Sequence, residues 1–175
     1  VPISEEILKG LSDAYRKLRN TFRFLLGNLY DFIPSKHSLP YKKLTELDRW
    51  MFGKVYKLFN KITDAYNQYQ FYNVYHTIYN FCVVDLSAVY LDILKDRLYT
   101  FYADSLDRRS AQTVMFHTLN ILLRIIAPIL PFTSEEIWQY VPSEMKTEES
   151  VHLTTWLQMP KEGIDKSLDN LWDGQ

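Results

Sequence analysis

The sequence predicts an all-α fold, a helical bundle of about four long helices plus a short C-terminal helix. Three observations predict it. Apolar residues recur three and four apart over long stretches, which puts them on one face of a helix. Capping residues stand where those periodic runs begin. Only 5 of the 175 residues are glycine, too few for a loop-rich or all-β chain. At this length, with 47% hydrophobic residues, the chain can bury one substantial core.

The first helix opens at Ser4, a cap followed by Glu5 and Glu6 at the positive end of the helix dipole. Its apolar residues fall at 7, 8, 11, 15, 18, 22, 25, 26 and 29, with Gly27 inside, and Pro34 ends the run. Residues 34–45 carry two prolines and no apolar period, so they read as a loop. Thr45 with Asp48 resembles a capping box and opens the second helix, whose apolar face is Leu47, Met51, Leu58, Ile62, Ala65 and Tyr69.

The third helix runs from about Phe71 to Arg97. It is apolar nearly all round, apart from a strip of Asn73, His76, Asn80 and Ser87, which predicts a place in the middle of the bundle. "YADSLDRR" reads as a turn, with Arg108 and Arg109 in a local cluster with Asp104 and Asp107. Residues 110–127 form the fourth helix, with Arg124 its only charge. Pro128 and Pro131 interrupt it. Thr133 then caps a restart, with Glu136 completing a capping box and Phe132 and Ile137 forming a hydrophobic staple. "SVHLTTW" reads as a short extended piece and "DKSLDNLW" as the start of another helix. The expected division is a helical bundle over residues 1–142 and an acidic, irregular segment over residues 143–175.

Several function classes find no support. The four histidines are dispersed without metal-ligand spacing, and there is no glycine-rich phosphate loop. The single cysteine, Cys82, excludes an intrachain disulfide and a Cys-rich zinc site. His76 and Cys82 fall on different faces of one helix, and His76 and His117 read as core residues. No catalytic residue and no metal ligand is therefore assigned. The opening "VPISEEILKG" lacks the pattern of a signal peptide. "ILLRIIAPILPF" is too short and too broken for a membrane span, so none is expected. A chain that does not open on Met is expected to be a piece of a longer one, and its lone thiol fits a reducing compartment such as the cytoplasm.

The net charge of -1 hides an asymmetry. Residues 1–61 hold 12 Lys+Arg against 6 Asp+Glu, and residues 62–175 hold 8 against 15. On the first helix Lys9, Arg16, Arg19 and Arg23 fill a narrow arc with Asn20 beside them. Arg16, Arg19 and Arg23 make a row about 10 Å long. Stacked like charges repel, so the row needs an anionic neighbour. That neighbour is either carboxylates of this fold or phosphates of a ligand, and the arginine fork suits both. Phe24 and Tyr30 lie near the arc and read as packing residues before stacking ones. Lys54, Lys57 and Lys61 repeat the theme on the second helix, with Trp50 one turn away. They fit either a solvated face or a nucleic-acid surface.

Four stretches carry a family resemblance: "YRKLRNTFRFLLGNLYDF" (15–32), "YHTIYNFCVVDLSAVYLDILKDRLYT" (75–100), "RRSAQTV" (108–114) and "LLRIIAPILPFTSEEIWQYVP" (122–142). In this order they resemble the anticodon-binding helical domain of the bacterial-type isoleucyl-tRNA synthetases, class I enzymes, over about residues 3–158. The resemblance implies a tRNA partner, most simply one specific for isoleucine, held for a catalytic core elsewhere in a longer chain. It also implies that the first helix lies along the tRNA, at Arg16, Arg19, Asn20 and Arg23. ATP, and zinc where a C-terminal module carries it, would belong to that longer protein. The HIGH and KMSKS motifs are not in this sequence, so no cofactor and no aminoacylation are expected of these residues alone. Two rival readings remain. One is a helical protein–protein scaffold docking an acidic partner; the other is a bracing domain whose arginines are structural.

Overall fold

In the computed structural model, residues 5–158 are described, except 101 and 103. The helices are α1 (Glu5–Gly27), α2 (Pro34–His37), α3 (Glu46–Asn67), α4 (Phe71–Asn80), α5 (Asp92–Thr100), α6 (Leu106–Ile126) and α7 (Pro131–Tyr140). A π-helical segment, Phe81–Leu91, joins α4 to α5, making one continuous rod from Phe71 to Thr100. There is no strand among the described residues. The fold is thus an all-α bundle of four long rods and a short C-terminal helix. The Ser4 cap and the "DKSLDNLW" helix lie outside the described residues.

The middle of the bundle is α6, not the Phe71–Thr100 rod. Sixteen α6 residues are buried, and α1, α3, α4, α5 and α7 pack around it. The rod lies outside, with Val84 and Ile93 exposed. Its buried residues Cys82, Leu86, Tyr90, Leu94 and Leu98 recur every fourth position. On a straight α-helix such a row would rotate by about 40° per step. That drift is why the sequence looks apolar all round. The wider π-helical turn counters it, and the Ser87 hydroxyl donates to the Cys82 carbonyl five residues back at 2.6 Å. This rod, rather than residues 121–132, is the described helix long and apolar enough to cross a membrane, a test that a packed core helix also passes.

The caps divide into a success and a failure. Thr45 caps α3, its hydroxyl oxygen accepting from the Asp48 N–H at 3.3 Å. Thr133 caps nothing. Pro131 takes the first turn of α7, where its missing N–H and fixed φ cost least. Thr133 and Glu136 are thereby carried into the helix and turned toward α1. Phe132 is 91% exposed, so no staple forms, although Ile137 is buried. Further upstream, α6 starts at Leu106 rather than residue 110, because Ser105 accepts from the Arg108 N–H at 3.3 Å. The expected loop 34–45 is partly helical, with α2 opening on Pro34 and a 3-10 turn at Tyr41–Lys43. Residues 143–158 form an irregular strap that runs from α7 to α3. Two 3-10 turns, Ser143–Met145 and Val151–Leu153, lie in it. The buried Trp138 indole donates to the Glu148 carbonyl at 3.1 Å, and Trp156 donates to Thr63 at 3.0 Å while lying against Phe59.

Two carboxylates, Asp48 buried and Asp31 half-buried, tie one end of the bundle together. Asp48, fully buried on α3, accepts from the Tyr90 hydroxyl (2.7 Å), Ser110 (2.5 Å), Thr45 (2.6 Å) and Arg97 (3.2 Å). Burial, and the Asp48 charge beside it, push the Tyr90 phenol well up, so it stays a donor. Asp31, just beyond α1, takes a two-pronged bond from Arg108 (2.6 and 2.9 Å) and another from Gln112 (2.7 Å). Arg109 donates to the Asp31 carbonyl and to Asp104. Of the expected local cluster, the Arg109–Asp104 pair forms, while the hub of both arginines is Asp31, from the far end of α1. The C-terminal ends of α1 and α5 and the N-terminal ends of α3 and α6 thus meet at one end of the molecule.

Candidate nucleic-acid interface

The arginine row on α1 is split by its neighbours. Arg16 pairs with Asp13 one turn back at 2.6 Å, so an acid does lie beside the row. Arg19 is captured by α7, through two bonds to Glu136 at 2.7 and 2.8 Å and one to the Tyr15 hydroxyl at 3.1 Å. The Tyr15 hydroxyl meets Thr133 at 3.0 Å. The hydrogen bonds from Arg19 hold the Glu136 carboxyl below the usual carboxylate range. This contact is open to solvent and so contributes little to stability. It fixes where α7 lies along α1. Arg23 is different: it is exposed and has no ion pair among the described residues.

Asn20 and Arg23 form a ridge between two clefts. On one side is a cleft of about 660 Å³ between α1 and α7, lined by Arg19, Glu136, Ile137 and Tyr140 among others. On the other side α1 faces the rod. A cleft of about 400 Å³ lined by Lys17, Asn20, Phe24 and Lys95 meets one of about 310 Å³ lined by Arg23, Asn28, Tyr30, Tyr99 and Arg108. Phe24 lines both, and neither has a carboxylate in its lining. Tyr30 is 77% exposed and Tyr99 73%, which overturns the packing reading for Tyr30. Phe24 is half-buried and packs against the core as expected. Tyr99 was missed by the sequence reading. Its only signal is its spacing of four from Lys95 on α5.

The second basic stripe does not merge with the first. Lys54 leans toward Asp85 of the π-helical segment at 3.5 Å and lies over the Trp50 ring. Val83 and Ser87 of the same segment face the α1 cleft, so the rod separates the two stripes. Lys57 and Lys61 are exposed, and Lys61 borders a polar cleft at the α3–α4 corner. Lys9 is exposed near the start of α1, about 21 Å from Arg23.

The other titratable groups form no reactive cluster. Cys82 is buried, and burial pushes its thiol up to about 12. His76 is exposed against Tyr72 rather than in the core. His117 is half-buried, edge-on to Phe52, and burial lowers its pKa. No group of three metal-binding side chains occurs among the described residues.

Comparison with known proteins decides the family. Residues 48–173 match the family described as the anticodon-binding domain of tRNA ligase. The chain belongs to this family. It is 53% identical over 172 residues to an isoleucine–tRNA ligase of Moorella thermoacetica, covering 98% of this chain and 18% of that protein. It is 51% identical over 172 residues to the enzyme of Caldicellulosiruptor bescii, covering 98% and 19%. The corresponding figures for Natranaerobius thermophilus are 47% over 172 residues, 98% and 18%. This anticodon-binding domain thus spans about a fifth of the length of the curated relatives it matches.

Proposed function

We propose that this domain holds the anticodon stem-loop of an isoleucine tRNA along the outer face of α1. It positions that tRNA for aminoacylation by a catalytic core elsewhere in a longer cytoplasmic isoleucine–tRNA ligase. ATP, and zinc if used, act in the other parts of that chain, whose catalytic and C-terminal domains are the remaining partners. The observation that carries the reading is Arg23: an exposed guanidinium, unpaired among the described residues, on a ridge beside a carboxylate-free trough. Such a cation fits a phosphate, and phosphate contacts fix an RNA in register. Asn20 lies beside it, Lys9 and Lys61 add attraction at longer range, and Arg16 adds less because it is paired with Asp13. Arg19, Lys54 and Lys57 have partners within the fold, and they contribute mainly to the field.

Titrating the chain with isoleucine tRNA at two salt concentrations tests the reading. Affinity is expected to fall steeply with salt. Arg23→Ala should weaken binding and reduce the salt slope by about one phosphate contact. Its circular dichroism and melting temperature should stay at wild-type values. Equal binding by the wild type and Arg23→Ala would move the RNA off α1.

A bracing role is the second reading, and the Arg19–Glu136 contact favours it for that arginine alone. Arg19→Ala is expected to loosen α7 against α1, seen as faster amide exchange in α7. It should change RNA affinity less than Arg23→Ala does. The reverse order of effects on affinity would reassign Arg19 to the RNA.

A further inference from the structure

We propose that Tyr30 and Tyr99 are the platforms on which unstacked bases of the RNA loop are read, with Arg23 holding the adjacent phosphate; this rests on the reading of α1 given above. Three observations converge. The two tyrosines come from separate elements, one from the chain leaving α1 and one from the last turn of α5, and they line the same cleft. Both rings are largely exposed, although the end of the bundle around them is tied down by Asp31 and Asp48. An exposed ring on a fixed frame offers a π-face without the cost of ordering the backbone that carries it. Finally, the charge of this end is already sorted. Asp31 is engaged by Arg108 and Asp104 by Arg109, which leaves Arg23 as the uncompensated charge at the cleft.

RNA loops are recognised through splayed bases stacked on aromatic side chains and hydrogen-bonded at their edges. The Asn28 side chain borders the same cleft and donates to the Phe24 carbonyl at 2.9 Å, which leaves its oxygen as an acceptor for a base edge. The trough past Lys17 and Lys95 leads into this cleft, so a backbone lying along α1 delivers its loop to the tyrosines. Gly27 lines the cleft as well, and a Cβ there would meet nothing within 4 Å. It is therefore a place to insert a charge without repacking.

The opposite end of the bundle supplies the control. Tyr69 and Tyr72 are as exposed as Tyr30, beside the amide-rich cleft of Lys61, Gln68, Gln70 and Asn73. That cleft contains Asp64 and carries no arginine.

The test uses the full chain and two RNAs: the anticodon hairpin of an isoleucine tRNA, and its stem closed by a non-nucleotide linker. Tyr30→Ala/Tyr99→Ala is expected to weaken the hairpin about tenfold or more, since stacking is worth roughly that much per base, and to leave the linker-closed stem unchanged. Gly27→Glu should weaken both RNAs, while Gly27→Ala should weaken neither. Tyr69→Ala/Tyr72→Ala should have no effect. Hairpin binding unchanged in Tyr30→Ala/Tyr99→Ala, or lost in Tyr69→Ala/Tyr72→Ala instead, overturns the inference while leaving the α1 reading intact. Indifference of both RNAs to Arg23→Ala overturns the α1 reading itself. No hairpin binding by the wild type overturns both.

Discussion

Asp48→Ala is expected to cost on the order of 3–5 kcal/mol, the range for removing one partner of a buried ion pair. For a domain of this size that lowers the melting temperature by roughly 6–20 °C. The reason lies in what remains. Tyr90 is wholly buried, with its phenol held protonated by burial, and it would donate to nothing. The half-buried Arg97 and the buried Ser110 would lose the same acceptor. Donors from the cap of α3, α5, α6 and the π-helical segment meet on the one carboxylate that α3 carries, so its loss unties these elements together. Tyr90→Phe removes one donor and leaves no orphan, so it should cost no more than about 3 kcal/mol, the upper end for one bond to a charged acceptor. Urea unfolding of both variants checks this. A cost for Asp48→Ala within 1 kcal/mol of zero would show that the carboxylate is not the tie.

Asp48 also marks the boundary of what the sequence could reveal. The Thr45–Asp48 cap was legible because both residues lie within one turn, where spacing alone determines geometry. The rest of the hub was not, because Tyr90 and Ser110 reach Asp48 across 42 and 62 residues. The same distance effect misled the reading of Thr133 and Glu136. Their spacing fits a capping box, but Pro131 two residues earlier fits the first helical turn better. The two side chains then went to Tyr15 and Arg19, more than 100 residues away. On α1, period placed the arginines on one face, while nothing local distinguished the paired Arg19 from the solvent-facing Arg23. Tyr30 read as a packing residue because the sequence lets the first helix run on toward Pro34, with Tyr30 beside the basic arc, whereas the helix itself stops at Gly27. The rod was misplaced for a different reason. Its four-residue spacing departs from the α-helical period, and only a π-helical backbone turns that spacing into a buried face and an exposed one.

The second large effect is expected at Asp31. Asp31→Ala should cost about 3 kcal/mol, the lower end of the range for breaking a buried pair, because Asp31 keeps some solvent access. Arg108 has only 6% of its side chain exposed, and beside Arg109 it would lose both of its bonds to the Asp31 carboxylate. The pH dependence provides a cleaner signature. Burial alone would raise the Asp31 carboxyl, but the hydrogen bonds from Arg108 and Gln112 and the two guanidinium charges more than offset it. Its native pKa therefore lies below the ordinary 3.8. A carboxyl lowered by folding adds stability that is complete above its unfolded pKa. That contribution is lost as pH falls from about 4 through the native value. Asp31→Asn removes the titrating group, so its stability should fall less steeply than that of the wild type below pH 4. The difference between the two curves isolates Asp31 from Asp104, Glu135 and Glu136, whose carboxyls are also lowered. Parallel curves below pH 4 would rule out the ion pair as the source. The same substitution reaches the proposed interface, since Asp31 follows Tyr30 directly and its bonds to Arg108 and Gln112 fix where the chain leaves α1. Asp31→Asn at neutral pH is therefore expected to weaken binding of the hairpin more than binding of the linker-closed stem.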